Sequence, residues 1–70
     1  MKTAKITEVH YDPEYYFRIN KDESFEEALE RKVQAVYGKA AYTVKDSSAP
    51  DRYTVVADTR VIRIIDVEEL

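Results

Sequence analysis

The chain has 70 residues, a formal net charge of −3, a single histidine and no cysteine. This length makes one domain, residues 1–70, and excludes a Rossmann unit with a separate substrate domain or a closed α/β barrel. The absence of cysteine excludes a disulfide framework and a thiolate zinc site, and the acidic balance disfavours binding of nucleic acid through phosphate neutralisation.

The first predicted elements are two strands joined by a turn. Residues 5–11 favour a strand in which Ile6 and Val9 depart from strict alternation, as a β-bulge allows. Residues 12–14 favour the turn, because Pro13 presets its own backbone angle and supplies no hydrogen-bond donor. We expect the two strands to pair as a hairpin.

The second strand, residues 15–19, alternates between two faces. Successive side chains of a strand point to opposite faces, so one set should line the core and the other should face away from it. The predicted core set is Tyr15, Phe17 and Ile19, and the other set is Tyr16 and Arg18.

A single helix is predicted over about residues 24–37. Ser24 and Glu27 match the S-x-x-E capping box, in which two side chains satisfy free backbone donors. Gly38 follows where helices commonly end in left-handed backbone, and Glu27 and Arg31 are spaced for an i,i+4 ion pair. An apolar stripe at helical spacing should lie on a sheet: Phe25, Ala28, Leu29, Val33 and Val36.

Three further strands are predicted after the helix. β-Branched residues dominate residues 40–45, 52–57 and 60–67, which favours strand over helix. A loop at 46–51 and a tight turn near 58–59 separate these strands. The order β-β-α-β-β-β predicts an α+β fold with a mostly antiparallel sheet of about five strands and one amphipathic helix packed on one face. The second half should form a meander.

The last predicted strand carries branched aliphatic side chains on both faces. Strict alternation places Ile62 and Ile64 on one face and Val61, Ile65 and Val67 on the other. One helix covers only one face of a sheet, and a half-exposed strand would alternate apolar with polar residues. Three explanations are open: a sheet curved over itself like a barrel, a homodimer, or docking onto another protein. The pattern does not decide which face points outward.

No set of side chains in the sequence combines a nucleophile, a base and a group that orients the base. Ser47 and Ser48 lie in a loop without a glycine-rich elbow. His10, Asp12 and Glu14 offer at most three metal ligands beside a turn. We therefore expect no catalytic residue, no metal site, no cofactor and no small-molecule substrate.

The favoured hypothesis is a small interaction or regulatory module without catalysis. It would bind a protein partner, or a second copy as a homodimer, through an uncovered sheet face or a free strand edge. The expected contacts are Tyr16, Arg18, Ile62 and Ile64, because tyrosine and arginine are enriched in the energetic centres of interfaces. A phage or mobile-element inhibitor of a host complex would suit a compact acidic chain of this size.

The alternative hypothesis is a single-stranded nucleic-acid-binding module. Tyr16 would stack on bases and Arg18 would contact phosphates. The basic excess between Lys39 and Arg63 would add attraction to the backbone.

The cellular location is predicted from two features. The polar start of the chain disfavours a secretion signal. No run approaches the roughly 20 apolar residues that span a bilayer. We expect a cytoplasmic protein that does not enter a membrane.

Overall fold

The computed structural model describes residues 2–11 and 13–70, which form five strands and one helix. The elements are β1 (Lys2–Glu8), β2 (Glu14–Ile19), α1 (Phe25–Tyr37), β3 (Tyr42–Lys45), β4 (Arg52–Ala57) and β5 (Arg60–Glu69). This order confirms the predicted α+β fold. Asp12, which belongs to the predicted turn and to the candidate metal ligands, lies outside the described residues.

All five described strands belong to one antiparallel sheet with the spatial order β2-β1-β5-β4-β3. β1 and β2 form the predicted hairpin, and β3, β4 and β5 form the predicted meander. The first and last strands of the chain pair at the centre, which joins the hairpin and the meander into one sheet. β2 and β3 are its two edges, so the sheet is open rather than closed into a barrel.

The bounds of two strands differ from the prediction. The sequence predicts a first strand over residues 5–11, but β1 ends at Glu8, and Val9 and His10 form a turn; β1 begins earlier and β5 ends later than predicted. β1 begins at Lys2 because Lys2 pairs with Ile19 of β2. β5 continues to Glu69 because Glu69 pairs with Ala4 of β1. Both extensions are rich in polar residues with low strand propensity. Pairing with a distant strand therefore sets these boundaries.

The predicted capping box is present at the start of α1. The Ser24 hydroxyl oxygen accepts a hydrogen bond from the Glu27 N–H at 3.1 Å, and Glu27 Oε1 accepts one from the Ser24 N–H at 2.9 Å. Because Glu27 is used in this way, Arg31 pairs with Glu23, whose Oε2 lies 3.0 Å from the arginine Nε. The predicted Glu27–Arg31 pair is therefore wrong. Gly38 ends the helix with a φ of 112°.

The core lies between α1 and one face of the sheet. The rings of Phe17 and Tyr53 flank the Phe25 ring at centroid distances of 6.4 and 6.5 Å, and these three rings close one end of the core. Each fully buried aliphatic side chain contributes about 1.5–3 kcal/mol. The buried apolar residues are Ala4, Ile6, Phe17, Ile19, Ala28, Leu29, Val33, Ala41, Val55, Ile65 and Val67.

A β-bulge in β5 changes which residues share a face. Val55 pairs with Arg63, whereas the next residue, Val56, pairs with Val61, so Ile62 is the extra residue of the bulge. Val61 therefore lies on the face away from the helix, and Ile62 packs against the core. The prediction by strict alternation is wrong at these two positions because a bulge inserts one residue into the period of two.

The rest of β5 follows strict alternation. Ile65 and Val67 are buried beneath α1, and Ile64 lies on the opposite face. The covered face is therefore the one that carries Ile65. The register of β1 with both neighbours runs without a shift, so the bulge expected in the first strand is not found between Lys2 and Glu8.

The turn between β4 and β5 is tight, as predicted. Asp58 and Thr59 have φ angles of 53° and 62°, both in the left-handed region. Two-residue hairpin turns of type I′ require this backbone at both positions. A β-branched side chain is poorly suited to it, and the strain costs on the order of 1 kcal/mol at Thr59.

Adjacent isoleucines test which face is covered. Ile65→Ala should lower the free energy of unfolding by about 2–5 kcal/mol, because it opens a cavity in the core. Ile64→Ala should cost less than about 1.5 kcal/mol, because its side chain is only half-buried. Urea denaturation at low micromolar concentration measures both, and equal losses would contradict the assignment of the covered face.

The turn strain predicts a stabilising substitution. Thr59→Gly should raise the free energy of unfolding by about 1 kcal/mol, because glycine adopts positive φ without steric cost. In a domain of this size that corresponds to roughly 4–8 °C in Tm by calorimetry. Thr54→Gly, within β4, is the control and should lower Tm. A lower Tm for Thr59→Gly would contradict the strained turn.

Candidate functional site on the open sheet face

The candidate site is the face of the sheet turned away from α1, which we call the open face. The register and alternation of the strands place on it each strand residue whose side chain points away from the helix. In the spatial order of the strands, the open face carries Glu14, Tyr16 and Arg18 of β2; Thr3, Lys5 and Thr7 of β1; Val61, Ile64, Asp66 and Glu68 of β5; Arg52, Thr54 and Val56 of β4; and Tyr42 and Val44 of β3.

One part of the open face is apolar. The register aligns Tyr42, Val56 and Val61 across three adjacent strands, and it aligns Val44 with Ile64 through Thr54 in the next row. Val61 is 62% exposed and Tyr42 is 45% exposed. We call Tyr42, Val44, Val56, Val61 and Ile64 the apolar patch. None of its members carries a charge.

The other part of the open face is polar and largely paired within the chain. Lys5 lies 3.3 Å from Glu14 and 4.0 Å from Glu68. Arg52 donates two hydrogen bonds to the Asp66 carboxylate, at 2.9 and 3.3 Å. The Glu14 carboxylate raises the pKa of Lys5, and the Asp66 carboxylate raises the pKa of Arg52. Charge is therefore concentrated outside the apolar patch and largely neutralised there.

The four predicted contact residues do not form one cluster. Tyr16 and Arg18 lie on the open face as expected, on the edge strand β2. Ile64 belongs to the apolar patch, two strands away, and Ile62 packs toward the core because of the bulge. Sequence reasoning missed the other patch residues. The alternation of Tyr42 and Val44 with polar neighbours was the available signal.

The edge strand β3 offers little backbone for pairing. The Asp46 N–H donates to the Arg52 oxygen, so alternation turns only Thr43 and Lys45 toward the free edge of β3. The Lys45 ammonium also bonds to the Pro50 oxygen. A short edge strand with a lysine is a common protection against pairing with another chain.

The edge strand β2 is covered in part by the helix. The Leu70 N–H donates to the Thr3 oxygen, which places Arg18, the partner of Thr3, with its backbone outward. Its carbonyl accepts a hydrogen bond from the Arg31 guanidinium at 2.8 Å. Both edges are thus less available for binding than the open face.

A shallow pocket of about 180 Å³ borders the apolar patch. It lies where the β1–β2 connection meets the bulged start of β5, which brings three aromatic or basic side chains beside three aliphatic ones. Its lining residues are His10, Tyr11, Val61, Ile62, Arg63 and Ile64.

A buried polar network lies beside this pocket. Glu8 is only 5% exposed, and its Oε2 accepts a hydrogen bond from the Tyr37 hydroxyl at 2.5 Å. The Arg63 Nε lies 3.7 Å from the same oxygen, and the guanidinium carbon lies 4.5 Å from the centre of the Tyr11 ring. Glu8 thus accepts a hydrogen bond from a tyrosine and lies at ion-pair distance from an arginine. The network ties β1, β5 and the last turn of α1 together.

The polar groups of this network are engaged within the chain. The Glu8 carboxylate is buried and engaged, and the Arg63 guanidinium stacks on Tyr11 and donates to the Ile62 oxygen at 2.6 Å. His10 is exposed on the turn. Among residues 2–11 and 13–70, no group of three or more acidic, histidine or cysteine side chains is placed to hold a metal ion.

Comparison of the chain with protein-family models, curated proteins and solved structures found no significant match. In the part of the chain that the structure describes, no helix combines the length and the apolar character that crossing a bilayer demands.

The buried network makes Tyr37 a test residue. Tyr37→Phe should lower the free energy of unfolding by about 1–3 kcal/mol, because it leaves the buried Glu8 carboxylate without this donor. The control is Tyr15→Phe, whose ring packs edge-on against Tyr37 at 6.3 Å. Urea denaturation at neutral pH measures both. Equal effects of the two substitutions would contradict the network.

The stability difference between the wild type and Tyr37→Phe should depend on pH in alkali. Burial, followed by the Glu8 carboxylate, raises the pKa of Tyr37 above its ordinary value. The unfolded chain then loses this phenolic proton first, so the contribution of Tyr37 is complete below pH 10 and declines as the pH rises above about 10. The stability difference between the wild type and Tyr37→Phe should therefore narrow in that range.

Proposed function

We propose that the chain is a small non-catalytic interaction module that binds a protein surface through its open face. The apolar patch is the observation that carries this proposal. Five uncharged side chains lie together on three adjacent strands, three of them exposed and two half-buried. On the same face, Lys5 pairs with Glu14 and Glu68, and Arg52 pairs with Asp66. Contiguous exposed apolar surface of this kind commonly marks an interaction site.

The composition of the open face matches the anatomy of a protein interface. Interfaces have an apolar centre depleted in charge and a polar rim. The apolar patch supplies the centre, and ion pairs such as Lys5–Glu14 and Arg52–Asp66 supply part of the rim. Burial of one valine or isoleucine side chain contributes about 1.5–3 kcal/mol. A partner that covers the apolar patch would therefore gain binding free energy from it.

Charge supports a protein partner over nucleic acid. Two of the five basic residues that follow the helix are engaged with acidic side chains of the chain: Arg52 pairs with Asp66, and Arg63 lies against Glu8. Nucleic-acid affinity depends on cations that neutralise phosphates, and an internally paired arginine contributes less to it. A module that binds without catalysis would act by occupying its partner's surface, as a regulatory protein or an inhibitor does.

Site-specific photocross-linking tests this function. A benzophenone side chain placed at Val61, in the apolar patch, should capture protein in the cells that express the chain, because this side chain would lie within the interface. The matched control is Leu70, which is 61% exposed and follows β5 opposite Thr3, at the end of the open face farthest from Val61. Mass spectrometry identifies the captured protein.

The captured protein is then purified and its affinity is measured directly. Val61→Glu should weaken binding by tenfold or more, equivalent to at least about 1.4 kcal/mol, and Leu70→Glu should leave it nearly unchanged. Absence of any cross-link from position 61, or equal capture from both positions, would contradict the proposal.

A further inference from the structure

We propose that the occupant of the open face is a second copy of this chain, with the two sheets stacked face to face and the apolar patches in contact. This inference rests on the proposed function, because it names the partner of the same surface. The arguments are the distribution of charge, the shape of the sheet and the area available.

The charge of the chain is distributed so that open faces can meet. The chain carries −3, yet the open face carries three cations and three anions and is formally neutral. Its cations are Lys5, Arg18 and Arg52, and its anions are Glu14, Asp66 and Glu68. Two such faces therefore approach without net repulsion.

The acidic excess lies on the other side of the molecule. Residues 21–32, which include the start of α1, carry five acidic and three basic side chains. Stacking through the open faces puts the two helices on the outside, with two sheets between them. Layers spaced about 10 Å apart then separate the helices by roughly 30 Å, well beyond the Debye length of about 8 Å at physiological salt.

The shape of the open face also suits a second copy. Two sheets that pack face to face keep their strand directions within about 30° of each other, because both sheets twist with the same hand. A second copy of the chain has the same twist. A two-fold interface brings the same patch from both copies together, so it must supply both projections and recesses. Both occur at the apolar patch: Tyr42 is exposed on β3, and the pocket that borders the patch at Val61 and Ile64 is recessed.

The area of the open face is sufficient for a stable dimer. A standard interface takes about 800 Å² from each partner, which is near one sixth of the 4839 Å² accessible surface of this chain. Five strands about 4.8 Å apart make a face roughly 24 Å wide. The apolar patch alone is smaller than this interface, so the polar residues around it would form the rim.

Sedimentation equilibrium of the full chain tests the inference. The wild type should show a reversible dimer, with a Kd in the range of about 1–100 μM for an interface of this size. Val61→Glu should raise that Kd by tenfold or more, because it puts a charge at the centre of the interface. Leu70→Glu should change it less than threefold, because position 70 is about 30 Å along β5 from position 61. Circular dichroism checks that both variants fold.

Each outcome decides the inference. A wild type that stays monomeric to about 300 μM would overturn the second copy, as would a dimer that Val61→Glu leaves intact. A dimer lost as NaCl rises from about 0.1 to 0.5 M would show that ion pairs hold it, which contradicts an apolar centre. If Val61 still cross-links to a different protein while the chain is monomeric, the proposed function stands and only the second copy fails.

Discussion

One helix of 13 residues lies on a sheet of five strands, and it covers one of the two faces. The core gathers on the covered side, where Leu29 and Val33 of the helix meet Ile65 at the centre of the sheet. The strand side chains that point away from the helix lie on the open face. Since strands cannot hide both faces under one helix, the open face and its apolar patch follow from this single constraint.

The helix is fixed to the sheet by polar contacts as well as by burial. From the middle of the helix Arg31 donates to Glu23 and to the Arg18 carbonyl, and at the end of the helix Tyr37 donates to the buried Glu8. A buried carboxylate is costly unless it is paired and hydrogen-bonded. This requirement sets the position of the last turn of α1 over β1 and β5, and it keeps the helix on the side of the sheet opposite the apolar patch.

The candidate site was only partly visible in the sequence. Alternation placed Tyr16 and Arg18 on the face away from the core, and they lie there. For the last strand alternation left the outward face undecided, and the structure places Ile64 on the open face. Ile62 was misplaced because the bulge in β5 inserts a residue, and a bulge depends on pairing with β4. The patch itself joins β3, β4 and β5, so it required the register between strands that are distant in sequence.

Local physical chemistry determined the elements. Capping at Ser24, an apolar stripe at helical spacing and β-branched strands fix the order of helix and strands, since each depends on neighbours within a few residues. Only the tertiary structure decided that β1 and β5 pair at the centre, where β5 extends to Glu69. It also decided that Val61 rather than Ile62 faces outward. These outcomes depend on hydrogen bonds between residues far apart in the chain, which no local pattern encodes.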